Sequence, residues 1–366
     1  MSLPDHVFSY QSSDEVFLTI SFRLRSDTPW ADASHEVAWW QRKLSPSQPA
    51  SIAQSALQPY DELRIKNFQA AFRITGSNWS LRFDRARGYI TNWVSSGITL
   101  LEPDAETGAA IIPSFWRAPT DNDVPAALPY WRRFGLDQLT SQLRSISVRT
   151  DDKIGLVEVE THTFLSPPVL DWAYNIQTTY KIYPNGSLAI HVHIRPSGSY
   201  PETVPRVGLD LRLSQTLNQV GWFGPGPGES YPDKRSSQRV GIWSKTVPEL
   251  QTNYEHPQDN GNRMDTRWLT VLNSQGEGIK VTGQIARDND KDPERAFQWA
   301  AGRHTAAVLE AARHPCDLTE EDATLLKLNA EVAGVGSAAC GPGVKEEFQV
   351  SSVERNFQFV LEKVRI

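Results

Sequence analysis

Apolar and polar residues alternate along most of this chain, and stretches with helical periodicity are scarce. Between Glu15 and Arg25, Val16, Leu18, Ile20, Phe22 and Leu24 fall on one face of an extended segment, the pattern of a half-buried strand. Ser26-Asp27-Thr28-Pro29 supplies a turn, and His35 to Leu44 reads as a second strand carrying Trp39 and Trp40. A bare hairpin is marginally stable in water, so residues 1–44 read as the end of a β-sandwich whose other strands lie elsewhere. Ser45-Pro46-Ser47-Gln48-Pro49 and the small residues after it predict a linker over 45–62.

Residues 63–366 read as one large β domain. Phe68 to Ile74, Trp79 to Asp84 and Tyr89 to Val94 are short apolar runs separated by Gly76-Ser77-Asn78 and Arg87-Gly88, the spacing of a meander. Leu156 to Phe164 continues the pattern. Asn185-Gly186 between Tyr174–Tyr183 and Ser187–Arg195 predicts a hairpin with a type I′ turn. That turn would put Leu188, Ile190, Val192 and Ile194 on one face and His191 and His193 on the other, opposite Tyr180 and Thr178. Short helices are predicted within Leu128–Leu143 and Asp317–Leu328, and closing strands at Phe348–Val350 and Phe357–Val364.

Composition narrows the partners. The 366 residues carry a net charge of −6, which gives no electrostatic attraction to nucleic acid or to an anionic membrane. No apolar run reaches transmembrane length and no basic-then-apolar leader opens the chain, so a cytoplasmic protein is expected. Two cysteines, Cys316 and Cys340, are too few for a disulfide framework and are expected as buried thiols. His191 and His193 could bind a metal, but no third ligand lies near them in sequence, and a solvated strand face explains them. Asn78-Trp79-Ser80 and Asn185-Gly186-Ser187 fit the glycosylation pattern, which matters only in a secreted protein. Twelve tryptophans suit a large β core, and also faces that stack on sugar rings.

Candidate chemistry concentrates in three loop-like stretches. They are Pro113 to Asp123, Gly221 to Arg235 with its Gly224-Pro225-Gly226-Pro227-Gly228 run, and Tyr254 to Trp268. Asp121, Asn122 and Asp123 begin like a calcium loop but lack its glycine and closing glutamate, so they read as a charged turn paired with Arg117. The glycine-proline run lacks the Lys-Ser/Thr ending of a phosphate loop. Glu229 with Asp233, and Glu255 with His256, are the pairs that could supply general acid and base groups. A glycosidase needs two carboxylates about 5–5.5 Å apart for retention or about 6.5–9.5 Å apart for inversion.

Phe115 to Asp123, Gly224 to Asp233, and Pro257 to Arg263 with Asp265, Arg267 and Trp268, taken in this order, resemble the C-terminal region of LacZ-type β-galactosidases of glycoside hydrolase family 2. Gly334-Val335-Gly336 followed by Cys340-Gly341-Pro342 fits the same family, and residues 1–44 look like the end of its immunoglobulin-like domain. The resemblance implies an all-β, galactose-mutarotase-like supersandwich for residues 63–366, the β-galactosidase small chain. It implies that the catalytic glutamates sit on a TIM barrel outside this chain, since no alternating strand–helix units occur here. No catalytic residue, metal or cofactor is then expected in the chain, with Mg²⁺ and Na⁺ belonging to the full enzyme. The implied substrate-side residues are Trp268, Asn260, Arg263, Glu229 and His256. Arg117, Asp121, Asn122, Asp123, Tyr231 and Asp233 would fix loops. The implied partners are the remaining domains or large subunit, galactosides, and further copies in a homo-oligomer. Two other readings stay open: an aldose 1-epimerase using Glu229 or Glu255 with His256, and a stand-alone carbohydrate-binding module.

Overall fold

Alternation in the sequence becomes antiparallel pairing almost throughout. The computed structural model describes residues 15–44, 63–151, 155–286, 296–337 and 343–366. The predicted linker and Cys340-Gly341-Pro342 lie outside the described residues. Two units emerge, Met1–Leu57 and Gln58–Ile366.

In the first unit, β1 (Phe17–Arg23) pairs with β2 (Glu36–Lys43), aligning Ile20 with Trp40 and Phe22 with Ala38. The apolar face of this hairpin is open: Ile20, Phe22 and Trp40 are 43%, 56% and 47% exposed.

The second unit begins with a meander of β3 (Arg64–Asn67), β4 (Ala71–Thr75), β5 (Trp79–Asp84), β6 (Ile90–Ser95) and β7 (Ile98–Leu101), then β8 (Ile111–Ser114) and a short helix α1 (Ala127–Arg133). Long strands follow: β9 (Thr140–Asp151), β10 (Leu156–Ser166), β11 (Trp172–Ile182) and β12 (Leu188–Gly198). After β13 (Thr203–Val204) come β14 (Arg206–Ser214), β15 (Gln219–Gly226), β16 (Arg239–Thr246), β17 (Arg263–Thr266), β18 (Trp268–Leu272), β19 (Glu277–Ala286) and β20 (Phe297–Gly302). Helix α2 (Ala306–Ala311), β21 (Ala323–Val332), β22 (Val350–Ser351) and β23 (Arg355–Arg365) complete the chain.

These strands build a nine-stranded sheet, β16-β15-β18-β19-β23-β12-β11-β10-β9, and a ten-stranded sheet, β17-β20-β21-β14-β7-β6-β5-β4-β3 with β8 also on β14. Aromatic pairs join the two layers. Phe83 meets Tyr180 at 5.3 Å between ring centroids, Phe297 meets Phe359 at 5.7 Å, and Trp222 meets Trp299 at 5.4 Å. This is the all-β supersandwich expected from the sequence, with its core between the sheets.

Three local expectations are corrected. At the Asn185-Gly186 hairpin Ile182 pairs with Leu188, one position away from the type I′ register, so Gln177 and Thr179 stand opposite His193 and His191. Pro184 enters a turn closed by Gly186 N–H to Tyr183 O (2.8 Å), and only Gly186 of the pair has positive φ (88°), which makes a three-residue loop. The stretch Leu128–Leu143 does hold a short helix, α1, which ends at Arg133 before Thr140 onward alternates as β9. Asp317–Leu328 is not helical: Asp317 accepts the His314 N–H (3.0 Å), and β21 is held on both sides by β14 and β20. Cys316, expected buried, is a free exposed thiol on a 3₁₀ turn.

Candidate functional site

The three polar stretches of the sequence meet each other and the Gly334–Gly336 segment. Ser230 and Asn262 stitch two of them, with Ser230 N–H donating to Asn262 O (2.7 Å) and Asn262 Nδ2 donating to Ser230 O (2.9 Å). Asp121 N–H donates to Gln258 Oε1 (3.2 Å), which ties the Pro113–Asp123 stretch to the third.

Each carboxylate in the buried part of this braid is occupied. Glu229, 6% exposed, accepts the Gly261 N–H (2.7 Å), the Lys234 ammonium (2.6 Å) and the Tyr254 hydroxyl. Burial opposes its ionisation, but those three donors outweigh it and hold its pKa below the ordinary value. Asp259 accepts from Tyr231 Oη (2.8 Å) and faces Lys327 Nζ (3.4 Å). Burial first, and the Asp259 charge second, push the Tyr231 hydroxyl well above its usual range. Asp123 takes Arg117 Nη2 (2.9 Å) and the Thr120 N–H (2.8 Å), yet its pKa is raised because burial exceeds the help from Arg117.

Two further tethers reach Gly334–Gly336. Asp233 accepts the Val335 and Gly336 N–H groups (3.0 and 2.9 Å), and Asn122 Nδ2 donates to Val335 O (2.8 Å). Arg117 Nη2 adds a bond to Gly334 O (3.2 Å). Gly334 must lack a side chain, because a Cβ there would lie 2.6 Å from Asp233 Oδ2.

The five residues implied on the sugar side fare differently. Arg263 is 1% exposed, lies 5.2 and 5.3 Å from the Trp222 and Trp299 rings, and donates to the Gly261 and Leu250 carbonyls. Burial lowers its pKa to about 10, and it has no face that a sugar at the surface could reach. Glu229 is saturated, as described above. Asn260 is half-buried, accepting the Thr252 N–H (3.1 Å) and donating to Gln258 O (3.0 Å). With Gln251, His304 and Lys327 it lines a cavity of about 30 Å³, room for water rather than a hexose. His256 is exposed, with Nδ1 3.5 Å from Asp121 Oδ1. Trp268 is half-buried on β18, opposite Phe223 in β15.

Lys234, Tyr254, Lys327 and Asn262 carry much of this network and escape sequence reasoning. Lys234 follows Asp233 directly and Tyr254 and Asn262 lie inside the third polar stretch, so those three had a local signal and Lys327 had none. Among the described residues no group of three or more His, Cys, Asp or Glu could hold a metal, and His193 pairs instead with Glu354 (2.5 Å). No helix of the described residues is long and apolar enough to cross a membrane.

Comparison with known proteins locates this geometry. The sequence profile of a family described as "Beta galactosidase small chain" matches residues 75–361, and one described as "Beta-galactosidase, domain 4" matches residues 1–45. The chain is similar to the β-galactosidase of Kluyveromyces lactis, 29% identical over 340 residues that make 92% of this chain and 31% of that protein. It is also similar to the β-galactosidase of Priestia megaterium, 29% identical over 88% of this chain and 29% of that protein. It therefore spans about a third of the length of these curated relatives. A galactose mutarotase related enzyme from Lactobacillus acidophilus aligns over 80% of this chain and 97% of its own at 9% identity, with a TM-score of 0.45.

Proposed function

Because the chain belongs to the β-galactosidase small-chain family, we propose that it is the non-catalytic C-terminal region of an enzyme that hydrolyses terminal β-D-galactosides with retention. In this reading it shapes one side of the sugar pocket and contributes to assembly, while both reacting carboxylates come from another domain. The observation that carries it is the state of the braid: Asp123, Glu229, Asp233 and Asp259 are each spent on N–H groups, a hydroxyl or cations. Glu229, held that way with its pKa depressed, is a poor proton donor, and Asp123, whose pKa burial raises, is closed off by Arg117 and the Thr120 N–H.

In the same reading Mg²⁺ and Na⁺ belong to the rest of the enzyme, as the family resemblance implies. Residues 1–44 are read as closing strands of an immunoglobulin-like sandwich, 45–62 as a linker and 63–366 as the small chain. The open apolar face of the hairpin supports this division, because it needs further strands to cover it. In this reading the exposed His256 and the half-buried Trp268 are the residues that a galactoside or the neighbouring domain would meet. The free, exposed thiol of Cys316 supports a reducing, cytoplasmic location. Epimerisation has less support: Glu229 accepts three donors already, while His256 stands in solvent beside Asp121.

The test is reconstitution. The pure chain should leave a chromogenic galactoside untouched, and adding the portion of the Priestia megaterium enzyme that precedes its match to this chain should give turnover. Turnover by the chain alone would overturn the proposal. Sugar affinity without reconstitution would favour a stand-alone binding module.

A further inference from the structure

A feature unused by the braid lies in the loop joining β10 to β11. Pro167-Pro168-Val169-Leu170 presents Val169 fully to solvent (103% exposed) at φ 69°. A β-branched side chain in the left-handed region is a conformational outlier, which persists only when its surroundings impose it. They do so here. Ser199 N–H holds Asp171 O (3.1 Å), and Trp172 Nε1 holds Phe134 O (3.1 Å). Pro167 and Leu170 close over Gly135, where a Cβ would meet Pro167 at 2.8 Å.

Other partly exposed apolar side chains lie on the segments bonded to this loop. Leu170 and Tyr200 are 43% and 40% exposed, and the half-buried rings of Tyr130 and Phe134 lie 5.0 Å apart beside them. Tyr130 Oη accepts the Glu202 N–H (2.7 Å), which anchors the Tyr200 segment to α1. Among the described residues of its own unit Val169 covers nothing, and glycine would hold the same φ without strain. Strain kept at a side chain that contributes no burial points to a use outside the chain.

Resting on the galactosidase reading, we propose that Val169, flanked by Leu170, inserts as a knob into an apolar pocket on another domain of the same enzyme. Three features choose that occupant. The relatives are about three times as long as this chain, so two thirds of such an enzyme must find surfaces to pack on. The loop presents a single prong tethered by the Ser199–Asp171 and Trp172–Phe134 bonds, a shape that fits a preformed pocket in a permanent neighbour. A second copy meeting the same patch about a two-fold axis would set knob against knob, because such an interface is self-complementary.

The experiment uses the complex of this chain with the Priestia megaterium portion described above. In Val169→Cys, maleimide labelling at residue 169, followed by peptide mass spectrometry, should slow by about tenfold or more on forming the active complex, the scale of burying one aliphatic side chain. Val169→Asp should weaken association by about tenfold or more without lowering the thermal midpoint of the free chain. Equal labelling rates, or equal association by Val169→Asp, in a complex that turns over galactoside would overturn the knob and leave the proposed function standing. Absence of both complex and turnover would overturn that function, and the knob with it.

Discussion

Glu229→Gln is the substitution that best separates a structural carboxylate from a reacting one. The change keeps shape and removes charge. In the native chain one oxygen of Glu229 takes Lys234 and Tyr254 and the other takes the Gly261 N–H. A glutamine can replace only one acceptor, so its NH₂ must face either a backbone donor or an ammonium. Lys234 is 43% exposed, keeps much of its hydration, and its ion pair therefore counts for little. The buried Gly261 bond and the unmatched donor count for more, and together they put the loss at about 2–4 kcal/mol. With an unfolding entropy of about 2.1 cal/mol/K per residue over roughly 300 residues, the thermal midpoint should fall by about 3–6 °C. The pH dependence gives a second check. Because the folded-state pKa of Glu229 lies below its ordinary value, the stability it adds is fully present above that value and is lost as pH falls through the depressed one. The gap between native and variant midpoints should thus hold from neutral pH down to about 5 and close in stronger acid. Scanning calorimetry across that range is the assay. A variant as stable as the native chain at neutral pH, or a gap that stays constant in acid, would refute the reasoning.

Other substitutions probe the rest of the frame. Asp233→Asn should leave one of the Val335 and Gly336 N–H groups poorly matched, lower stability by about 1–3 kcal/mol, and speed hydrogen exchange at those two amides; unchanged exchange would show that the tether is dispensable. Arg263→Lys replaces a planar group that lies against two indoles with a point charge. It should cost about 2–4 kcal/mol and alter the fluorescence of Trp222 and Trp299, and an unaltered spectrum would contradict the packing. In Gly208→Ala the new Cβ would fall 2.3 Å from Leu328 O, so β14 and β21 must part, at about 1–3 kcal/mol. An equal thermal midpoint would show that the irregular β14–β21 pairing at Val207 and Gly208 can yield.

The large sandwich is legible in the sequence because its strands are amphipathic and locally consistent. Ile190, Val192 and Ile194 announce the core face of β12, and the histidines between them announce the outer face. What the local pattern misses is decided by neighbours or by backbone detail. Pro184 moves the hairpin by one residue: in the type I′ register it would face Ser187 with no N–H to give, whereas it fits the first corner of an ordinary turn. Asp317 looks like a helix cap, yet pairing with β14 and β20 overrides the propensity of the residues after it. The polar stretch around Arg263 reads as surface because nothing in its composition reveals two indoles waiting from β15 and β20. Lys327 joins the network from far along the chain, a contact that one sequence cannot register. The motifs place the braid, and the pairing of donors with carboxylates within it becomes visible only in three dimensions.

Under the proposed function this chain completes a galactosidase without carrying its chemistry. Measuring release of chromophore from a galactoside by the pure chain, by the complementary catalytic portion, and by the two together tests it most directly. No turnover is expected from the chain, and the mixture should turn over well above the catalytic portion alone. Turnover by the chain itself, or a mixture no faster than the catalytic portion, would contradict it.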